Sequence, residues 1–466
     1  MNDTLVEIAD AIRAKRVSPV EVTRAYLDRI AKLDGAIRSF ITVDADGALA
    51  AAQALEADAA AGRWRGPLHG VPLAYKDLCH VAGLATSCGT RTPAYFTSAH
   101  ECTAVVRLRA AGAITLGKLN MTELALGPFG DNAHHGDVQN PWRAGHVSGG
   151  SSSGSGAAVA AGFAAGAIGS DTGGSIRLPA AACGIVGLKP TYGRVSRAGA
   201  MPLSWGLDHL GPMTRTVRDA AVMLTIIAGH DPLDATTSRR RVPDYAAELD
   251  RPIRGLRVGV PENYYFDDVT FEVETAVRDA GRALHSAGAS VAPIALPDPS
   301  VLSGIANVIA RSESAVIHKR LARDRPHELQ PAVRARLEVC FHISAHDYLQ
   351  ASRLRAQLTR QFVREVFADA DALIMPTIPE PAPALADAKA GSVDDVVKRM
   401  GRFSRLTRPF NALGLPALTV PCGLSRDGLP LALQIVGRPF AEATVLGLGH
   451  AYQNVSDWHM RRPAAR

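Results

Sequence analysis

The chain has 466 residues, 47% of them apolar and 21% charged, which are the proportions of a soluble globular protein with a large core. Its net charge of +6 comes with only 5% aromatic residues and few basic clusters, which argues against a nucleic-acid-binding groove. These basic clusters are Arg239–Arg241 and the C-terminal Arg461, Arg462 and Arg466. Six scattered cysteines without a CxxC pair argue against a disulfide framework or a zinc ribbon.

The N-terminal segment is polar, and the longest apolar run is shorter than the roughly 18 residues that a membrane span needs. We therefore expect a cytoplasmic protein without a signal peptide.

In the first part of the chain, apolar residues recur at helical spacing, and Ser18 before Pro19 is a typical helix start. The predicted helices cover residues 4–15, 19–33 and about 46–62.

Two strand-like runs follow, residues 70–78 and 113–119, and a helix start is predicted at residues 120–124. The first run contains Lys76 among apolar residues, either as a lysine that reaches water at a strand end or as a desolvated base. The second run overlaps Gly112–Lys118, which matches GxxxxGK. Because Leu119 stands where a phosphate loop needs Ser or Thr, we reject nucleotide binding.

Residues 127–147 have the composition of a loop and place His134, His135 and Asp137 close together. A metal site is conceivable, but adjacent histidines on a polar loop are more often solvated. The alternative is that this loop lines a substrate pocket.

The segment from Gly149 to Pro190 has two Gly/Ser clusters, residues 149–156 and 172–175, around a run of small apolar residues. This pattern favours tight turns packed into a core, and such turns can present several N–H groups to one point. Gly150–Gly154 also matches GxSxG. The nucleophile elbow that this motif marks follows an apolar strand, and no such strand precedes Gly150.

Strand and helix patterns alternate through the rest of the chain, which predicts an α/β fold with a central sheet covered by helices. Residues 232–254 are the most linker-like. The predicted strands cover residues 256–260, 290–296, 371–375, 418–422 and 431–436, and the predicted helices cover 271–287, 301–322, 331–369, 394–407 and 440–455.

The sequence GVPLAYKD from Gly70, together with GGSS from Gly149 and SDTGGSIRLPAAACGIVGLKPT from Ser170, resembles the amidase signature family. The resemblance covers most of the chain. It implies one α/β domain over residues 1–466 with a mixed sheet between helices on both sides. Within it we expect a helical layer over about 1–65 and a catalytic core over about 66–230.

The resemblance also implies a catalytic triad of Lys76, a bridging cis-serine Ser151 and a nucleophile Ser175, at the family's typical intervals of 75 and 24 residues. The N–H groups of Thr172, Gly173, Gly174 and Ser175 would form the oxyanion hole. Ser152 and Ser170 would orient the triad, while Asp171 and Arg177 are expected to pair with each other. Further candidates for the substrate pocket are Phe129, Asp131, His134, Ser404 and Arg405.

The activity implied is hydrolysis of a small carboxamide through a serine acyl-enzyme, without metal or cofactor. Two alternatives stay open, the glutamine-hydrolysing A subunit of a Glu-tRNA(Gln)/Asp-tRNA(Asn) amidotransferase and a catalytically inert scaffold subunit. That A subunit holds the glutamine amino group with an aspartate where this chain has Ser404, so the expectation favours a free-standing amidase. The surrounding residues are Arg402, Arg405 and Arg408, which would suit an acidic or carbonyl-rich substrate.

We expect a small-molecule amide as partner, no direct contact with nucleic acid or membrane, and a possible homodimer.

Overall fold

The computed structural model describes residues 4–464. The first three residues of the polar N-terminal segment and the last two residues, including Arg466 of the basic cluster, lie outside the described residues. Between residues 4 and 464 the chain forms one α/β domain with a single mixed sheet of eleven strands and sixteen helices.

The N-terminal part supplies an outer helical layer and the first sheet strands. Capping boxes at Thr4 and Ser18 begin the first two helices, because each side chain accepts the N–H of a glutamate three residues later. The elements are α1 (Leu5–Arg13), α2 (Pro19–Ile37), β1 (Phe40–Val43), α3 (Ala45–Ala60), β2 (Pro72–Lys76), α4 (Thr103–Ala110) and β3 (Ile114–Leu119).

The central part folds into short elements, of which all but the last, α7, are fully buried. Ala and Gly keep side chains small here, so that helices and strands approach closely. The elements are α5 (Ser153–Ala161), β4 (Gly166–Asp171), α6 (Arg177–Cys183), β5 (Val186–Lys189), β6 (His209–Thr214) and α7 (Val217–Ile227).

The C-terminal half completes the sheet and adds several helices. Its strands are β7 (Arg257–Pro261), β8 (Ser290–Ile294), β9 (Ala372–Pro376), β10 (Ala417–Leu424) and β11 (Pro430–Gly437). Its helices are α8 (Phe271–Ser286), α9 (Pro299–Ile317), α10 (Lys319–Asp324), α11 (Pro331–Cys340), α12 (Ala345–Asp369), α13 (Leu385–Lys389), α14 (Val393–Phe403), α15 (Arg408–Ala412) and α16 (Glu442–Asn454).

The strand order is β1-β3-β2-β4-β6-β5-β10-β11-β9-β7-β8. Strand β2 runs parallel to both β3 and β4, whereas β4 and β6 are antiparallel. Every residue of β2, β4, β5, β6 and β9 is buried, so both faces of the sheet are covered. The α/β fold with a covered mixed sheet is therefore confirmed.

Most predicted elements are confirmed within a few residues of their expected bounds, and residues 232–254 contain no helix or strand. The helix start predicted at residues 120–124 gives only a 3-10 turn, Glu123–Ala125. The predicted helix over 331–369 is interrupted between Cys340 and Ala345, so that α11 and α12 are separate. Among residues 4–464, no helix combines the length and the apolar character needed to cross a membrane.

Candidate active site

Lys76 is the last residue of β2, and Ser170 lies near the end of the neighbouring parallel strand β4. Because the carboxyl ends of parallel strands share one edge of the sheet, these two side chains meet there. The Lys76 Nζ lies 2.7 Å from Ser151 Oγ, 3.0 Å from Ser152 Oγ and 2.9 Å from Ser170 Oγ. The lysine therefore lies among three hydroxyl groups, and no carboxylate of residues 4–464 forms an ion pair with it.

The side chain of Lys76 is fully buried. Burial penalises its charged form and lowers the pKa of the amine to about 7. The sequence left two interpretations of this lysine, a side chain that reaches water and a desolvated base. The buried environment fits the desolvated base.

Ser151 is held in a turn that only small residues allow. The peptide bond between Gly150 and Ser151 is cis. Gly149 has a φ of +77°, and a Cβ there would lie 2.5 Å from the Cα of Pro179. A Cβ on Gly150 would lie 2.7 Å from the Gly127 carbonyl oxygen, so the two glycines let this turn pack against its neighbours.

The turn of residues 172–176 connects β4 to α6 and carries Ser175. The carboxylate of Asp171 accepts the N–H groups of Gly174 at 2.8 Å and Ile176 at 3.2 Å, which fixes the turn. The Gly174 N–H is thus already donated to Asp171, and only the N–H groups of Thr172, Gly173 and Ser175 stay in the proposed oxyanion hole.

Asp171 and Arg177 form a buried two-point ion pair, with both nitrogen–oxygen distances at 3.0 Å. Burial alone would raise the pKa of Asp171, but the charge and hydrogen bonds of Arg177 outweigh it and hold the pKa well below its usual range. Arg177 also donates to the side chains of Gln434 and Asn411, both at 2.6 Å. The pair therefore ties the Ser175 turn to β11 and α15.

A cavity of about 560 Å³ opens beside this turn, and Ser175 and Gly173 line it. Its other walls come from the segment after the 3-10 turn and from helices α9, α11 and α14. Ser175 is half-buried, so its hydroxyl group lies at the boundary between the protein core and the cavity.

The pocket candidates separate into two groups. Ser404 lines the cavity. Phe129 packs instead against Phe403 in a core cluster, with ring centroids 5.7 Å apart. Asp131 is buried and does not line the cavity, and Arg405 donates to the carbonyl groups of Tyr264 and Asp267.

His134 is the remaining pocket candidate, and it lines a different cavity together with His135. Its Nε2 lies 2.8 Å from Glu123 Oε1, and the nearby Asp137 pairs with Lys389 at 2.9 Å. Among residues 4–464, no group of three His, Cys, Asp or Glu side chains is arranged to hold a metal ion.

Neither rejected motif has the structural context that its usual function needs. Lys118 of the GxxxxGK match is buried and pairs with Asp77 at 3.0 Å. The GxSxG match leads into α5 rather than following a strand. Both observations agree with the rejections made from the sequence.

Sequence reasoning missed several residues around the site. Arg311, Arg336 and Arg408 line the cavity, and only Arg408 was singled out by the sequence. The Oγ1 of Thr172 donates to Asp208 at 2.5 Å and supports the Ser175 turn from behind. The sequence has no signal for such contacts, because the partners lie on different elements far apart along the chain.

A family model described as Amidase matches residues 21–446. The chain belongs to the amidase signature family. It is accordingly a hydrolase of amide C–N bonds. The A subunit of the glutamyl-tRNA(Gln) amidotransferase from Roseiflexus sp. (strain RS-1) is 42% identical over 482 residues, covering 99% of this chain and 98% of that protein.

Two solved amidase-signature structures show how closely the fold is shared. One comes from a protein complex that is described as vestigial. The same description says that this complex reveals the evolutionary origins of an s-triazine catabolic enzyme. The solved chain is 34% identical, with a TM-score of 0.92 over 99% of this chain and 100% of that chain. The peptide amidase from Stenotrophomonas maltophilia is 32% identical, with a TM-score of 0.85 over 99% of this chain and 98% of that chain.

Proposed function

We propose that this amidase works through a covalent ester on Ser175, with Lys76 as base and Ser151 as proton relay. The observation that carries the proposal is the 2.7 Å contact between Lys76 Nζ and Ser151 Oγ. The lysine has a pKa of about 7, so a large fraction is neutral at neutral pH and can accept a proton.

The reaction then has two halves. Ser175 Oγ bonds to the amide carbon while its proton passes to Ser151, whose own proton passes to Lys76. The C–N bond breaks as the proton returns through Ser151 to the leaving nitrogen, which departs as ammonia or an amine. Water then adds to the ester carbon through the same relay, which releases the acid and restores Ser175.

The negative charge that develops on the carbonyl oxygen needs donors that are already in place. The backbone N–H groups of Thr172, Gly173 and Ser175 supply them in this proposal, because Asp171 fixes their turn. No step requires a metal or an organic cofactor.

Ammonia release from a panel of amides tests the proposed roles. We expect Ser175→Ala, Ser151→Ala and Lys76→Met each to lower kcat by at least about 100-fold, as removal of a nucleophile or base does. Ser153→Ala is the matched control, since Ser153 Oγ is buried without a hydrogen-bond partner in the described part of the chain. Full activity of the Ser175→Ala variant would contradict the proposal.

The names of the similar proteins favour one physiological role, that of the glutamine-hydrolysing A subunit of a Glu-tRNA(Gln)/Asp-tRNA(Asn) amidotransferase. Its support is the 42% identity to such a subunit over 99% of this chain. In this role the ammonia made at Ser175 would pass to a partner subunit instead of into solution.

A free-standing amidase is the second candidate, and Ser404 favours it. This residue lines the cavity, and its hydroxyl group donates to the Met400 carbonyl at 2.6 Å. An uncharged serine gives the amino group of glutamine no anionic partner. One of the similar solved structures is that of a peptide amidase, so the same fold also occurs in an enzyme that is described as an amidase and not as a subunit.

Comparing the purified chain alone with the chain plus candidate partner subunits separates the two roles. The subunit role predicts glutamine hydrolysis that rises strongly when the partners are added. The free-standing role predicts turnover of another amide by the chain alone, with no change on addition of partners.

A further inference from the structure

Three arginine side chains meet in the Ser175 cavity, Arg311 from α9, Arg336 from α11 and Arg408 at the start of α15. Within residues 4–464, none of the three forms an ion pair. One carboxylate, Asp394, lines the same cavity, and its residue is exposed to solvent. The cavity therefore carries an excess of positive charge.

The excess positive charge acts on Arg408. Its burial, and then the charges of Arg336 and Arg311, lower its pKa to about 10. The guanidinium group is still charged at neutral pH, and the three like charges repel one another. An anion in the cavity would relieve this repulsion, because opposite charges stabilise each other most strongly where water is scarce.

The position of Arg408 is fixed relative to the Ser175 turn. The preceding residue, Thr407, donates through Oγ1 to the Gly173 carbonyl at 2.7 Å. A Cβ on Gly173 would lie 3.6 Å from the Cγ of Arg408 and 3.9 Å from its Nε. The side chain of Arg408 thus passes over Gly173, next to the site proposed for the amide carbonyl.

The neighbouring arginines do not share this arrangement. Arg402 pairs with Asp268 at 3.0 Å and with Glu380, and Arg405 donates to backbone carbonyl groups. Both have partners outside the cavity. Arg408 is therefore distinct from its neighbours in sequence in presenting its charge to the cavity.

Ser404, on the wall beside Arg408, supplies no negative charge to an ammonium group. Ser404 lies four residues earlier, just after α14, and donates its hydroxyl hydrogen to the Met400 carbonyl. An amino-acid amide such as glutamine would bring its ammonium group toward guanidinium groups, and Asp394, the one carboxylate that lines the cavity among the described residues, is exposed to solvent. The charge pattern selects against a substrate of that kind.

We propose that Arg408 binds a carboxylate that the substrate carries, and that the cavity selects the monoamide of a short dicarboxylic acid without an ammonium group. This inference rests on the proposed acyl transfer at Ser175. Arg311 and Arg336 add charge of the same sign, and Arg408 sets the preference because it lies beside the Ser175 turn.

Three amides that differ at one group test the substrate class. Glutaramate carries a carboxylate, pentanamide has a methyl group in its place, and glutamine adds an ammonium group to glutaramate. Ammonia release by the full-length chain is expected to give the highest kcat/KM for glutaramate, by about 10- to 100-fold over the other two, which is the range for one charge-assisted hydrogen bond.

Two variants assign the preference to particular residues. Arg408→Met is expected to lower kcat/KM for glutaramate by about 10- to 100-fold and to leave pentanamide within about twofold. Arg402→Met is the matched control and should change neither substrate. Ser404→Asp should raise the ratio of glutamine to glutaramate turnover, because it supplies the missing carboxylate.

Binding of glutaramate to Ser175→Ala, with and without Arg408→Met, gives a readout that does not need turnover. Weaker binding after loss of Arg408 supports the proposal, and unchanged binding contradicts it. Equal turnover of pentanamide and glutaramate would overturn the inference and leave the acyl-enzyme proposal standing. Turnover of glutamine ahead of glutaramate would also overturn it, whereas no turnover of any amide would overturn both.

Discussion

At the scale of single residues, the site depends on a lysine that is buried instead of exposed. Lys76 contacts three serine hydroxyl groups, and within the described part of the chain it forms no ion pair with a carboxylate. Burial lowers its pKa to about 7. The apolar surroundings of this lysine in the sequence left two interpretations open, and only the resemblance of GVPLAYKD favoured the base, because a lysine at a strand end is more often solvated.

The pKa of Lys76 predicts the dependence of activity on pH. The amine is charged below its pKa and can accept a proton only above it, so kcat/KM should rise with pH through about 7 and then level off. A pH–rate profile with a stable amide substrate measures this. An ascending limb near the ordinary lysine pKa, or no change between pH 6 and about 8, would contradict the assigned base.

The Asp171–Arg177 ion pair makes a second prediction at this scale. Asp171→Asn removes one charge of a fully buried pair and leaves Arg177 unpaired, so the free energy of unfolding should fall by about 3–5 kcal/mol. Chemical denaturation measures this change.

The exposed pair of Arg278 and Glu274 supplies the control for that experiment. Glu274→Gln should change the free energy of unfolding by no more than about 1 kcal/mol, because exposed pairs contribute little. Equal effects of the two substitutions would mean that burial of the Asp171 pair does not matter to stability.

At the scale of elements, backbone shape decides where the serines lie. The turn before α5 and the turn before α6 each contain a glycine with a positive φ, Gly149 and Gly174. The two Gly/Ser clusters of the sequence predicted turns here. It could not predict that the Gly174 N–H would be donated to Asp171, because that contact depends on how β4 leads into the turn.

Gly174→Ala should disrupt the Ser175 turn. The glycine has a φ of +132°, and a Cβ there would clash with Thr407 Oγ1. We expect kcat/KM for any amide substrate to fall by about 100-fold, since shifts of about 1 Å at a reacting group have that effect.

Gly304→Ala is the matched substitution in an ordinary helix. Gly304 lies in α9, and a Cβ added there would have no atom within 4 Å, so alanine should stabilise the protein by about 0.5–1 kcal/mol and leave kcat unchanged. Thermal unfolding and ammonia release measure both variants. A fully active Gly174→Ala would mean that the turn does not need its glycine.

The helices and strands could be predicted to different extents. Helices with one apolar face, such as α1 and α2, were predicted from their periodicity. Strand β6 was missed, because its sequence HLGPMT contains glycine and proline and is buried on both faces, which removes the alternation of a half-exposed strand.

At the scale of the whole molecule, the fold could be predicted from the sequence but the cavity could not. The single covered sheet follows from the alternation of strand and helix patterns, and this alternation can be recognised in a single sequence. The cavity walls come from helices α9, α11 and α14, which are distant in sequence. Their arginines have no recognisable spacing, so Arg311 and Arg336 were not predicted.

The homodimer stays a prediction, as does the division of the domain into a helical layer and a catalytic core. Light scattering of the purified chain measures its mass in solution. A mass of twice 49.1 kDa is expected for the dimer, and a mass of 49.1 kDa would contradict it.

The account depends most on Ser175 as a nucleophile that Lys76 activates. Intact-mass and peptide mass spectrometry after reaction with a fluorophosphonate tests this most directly. The account predicts one adduct per chain, on Ser175, with at least about 100-fold slower labelling in Lys76→Met. No adduct on the folded chain, or an adduct on another serine with Ser175 unmodified, would contradict it.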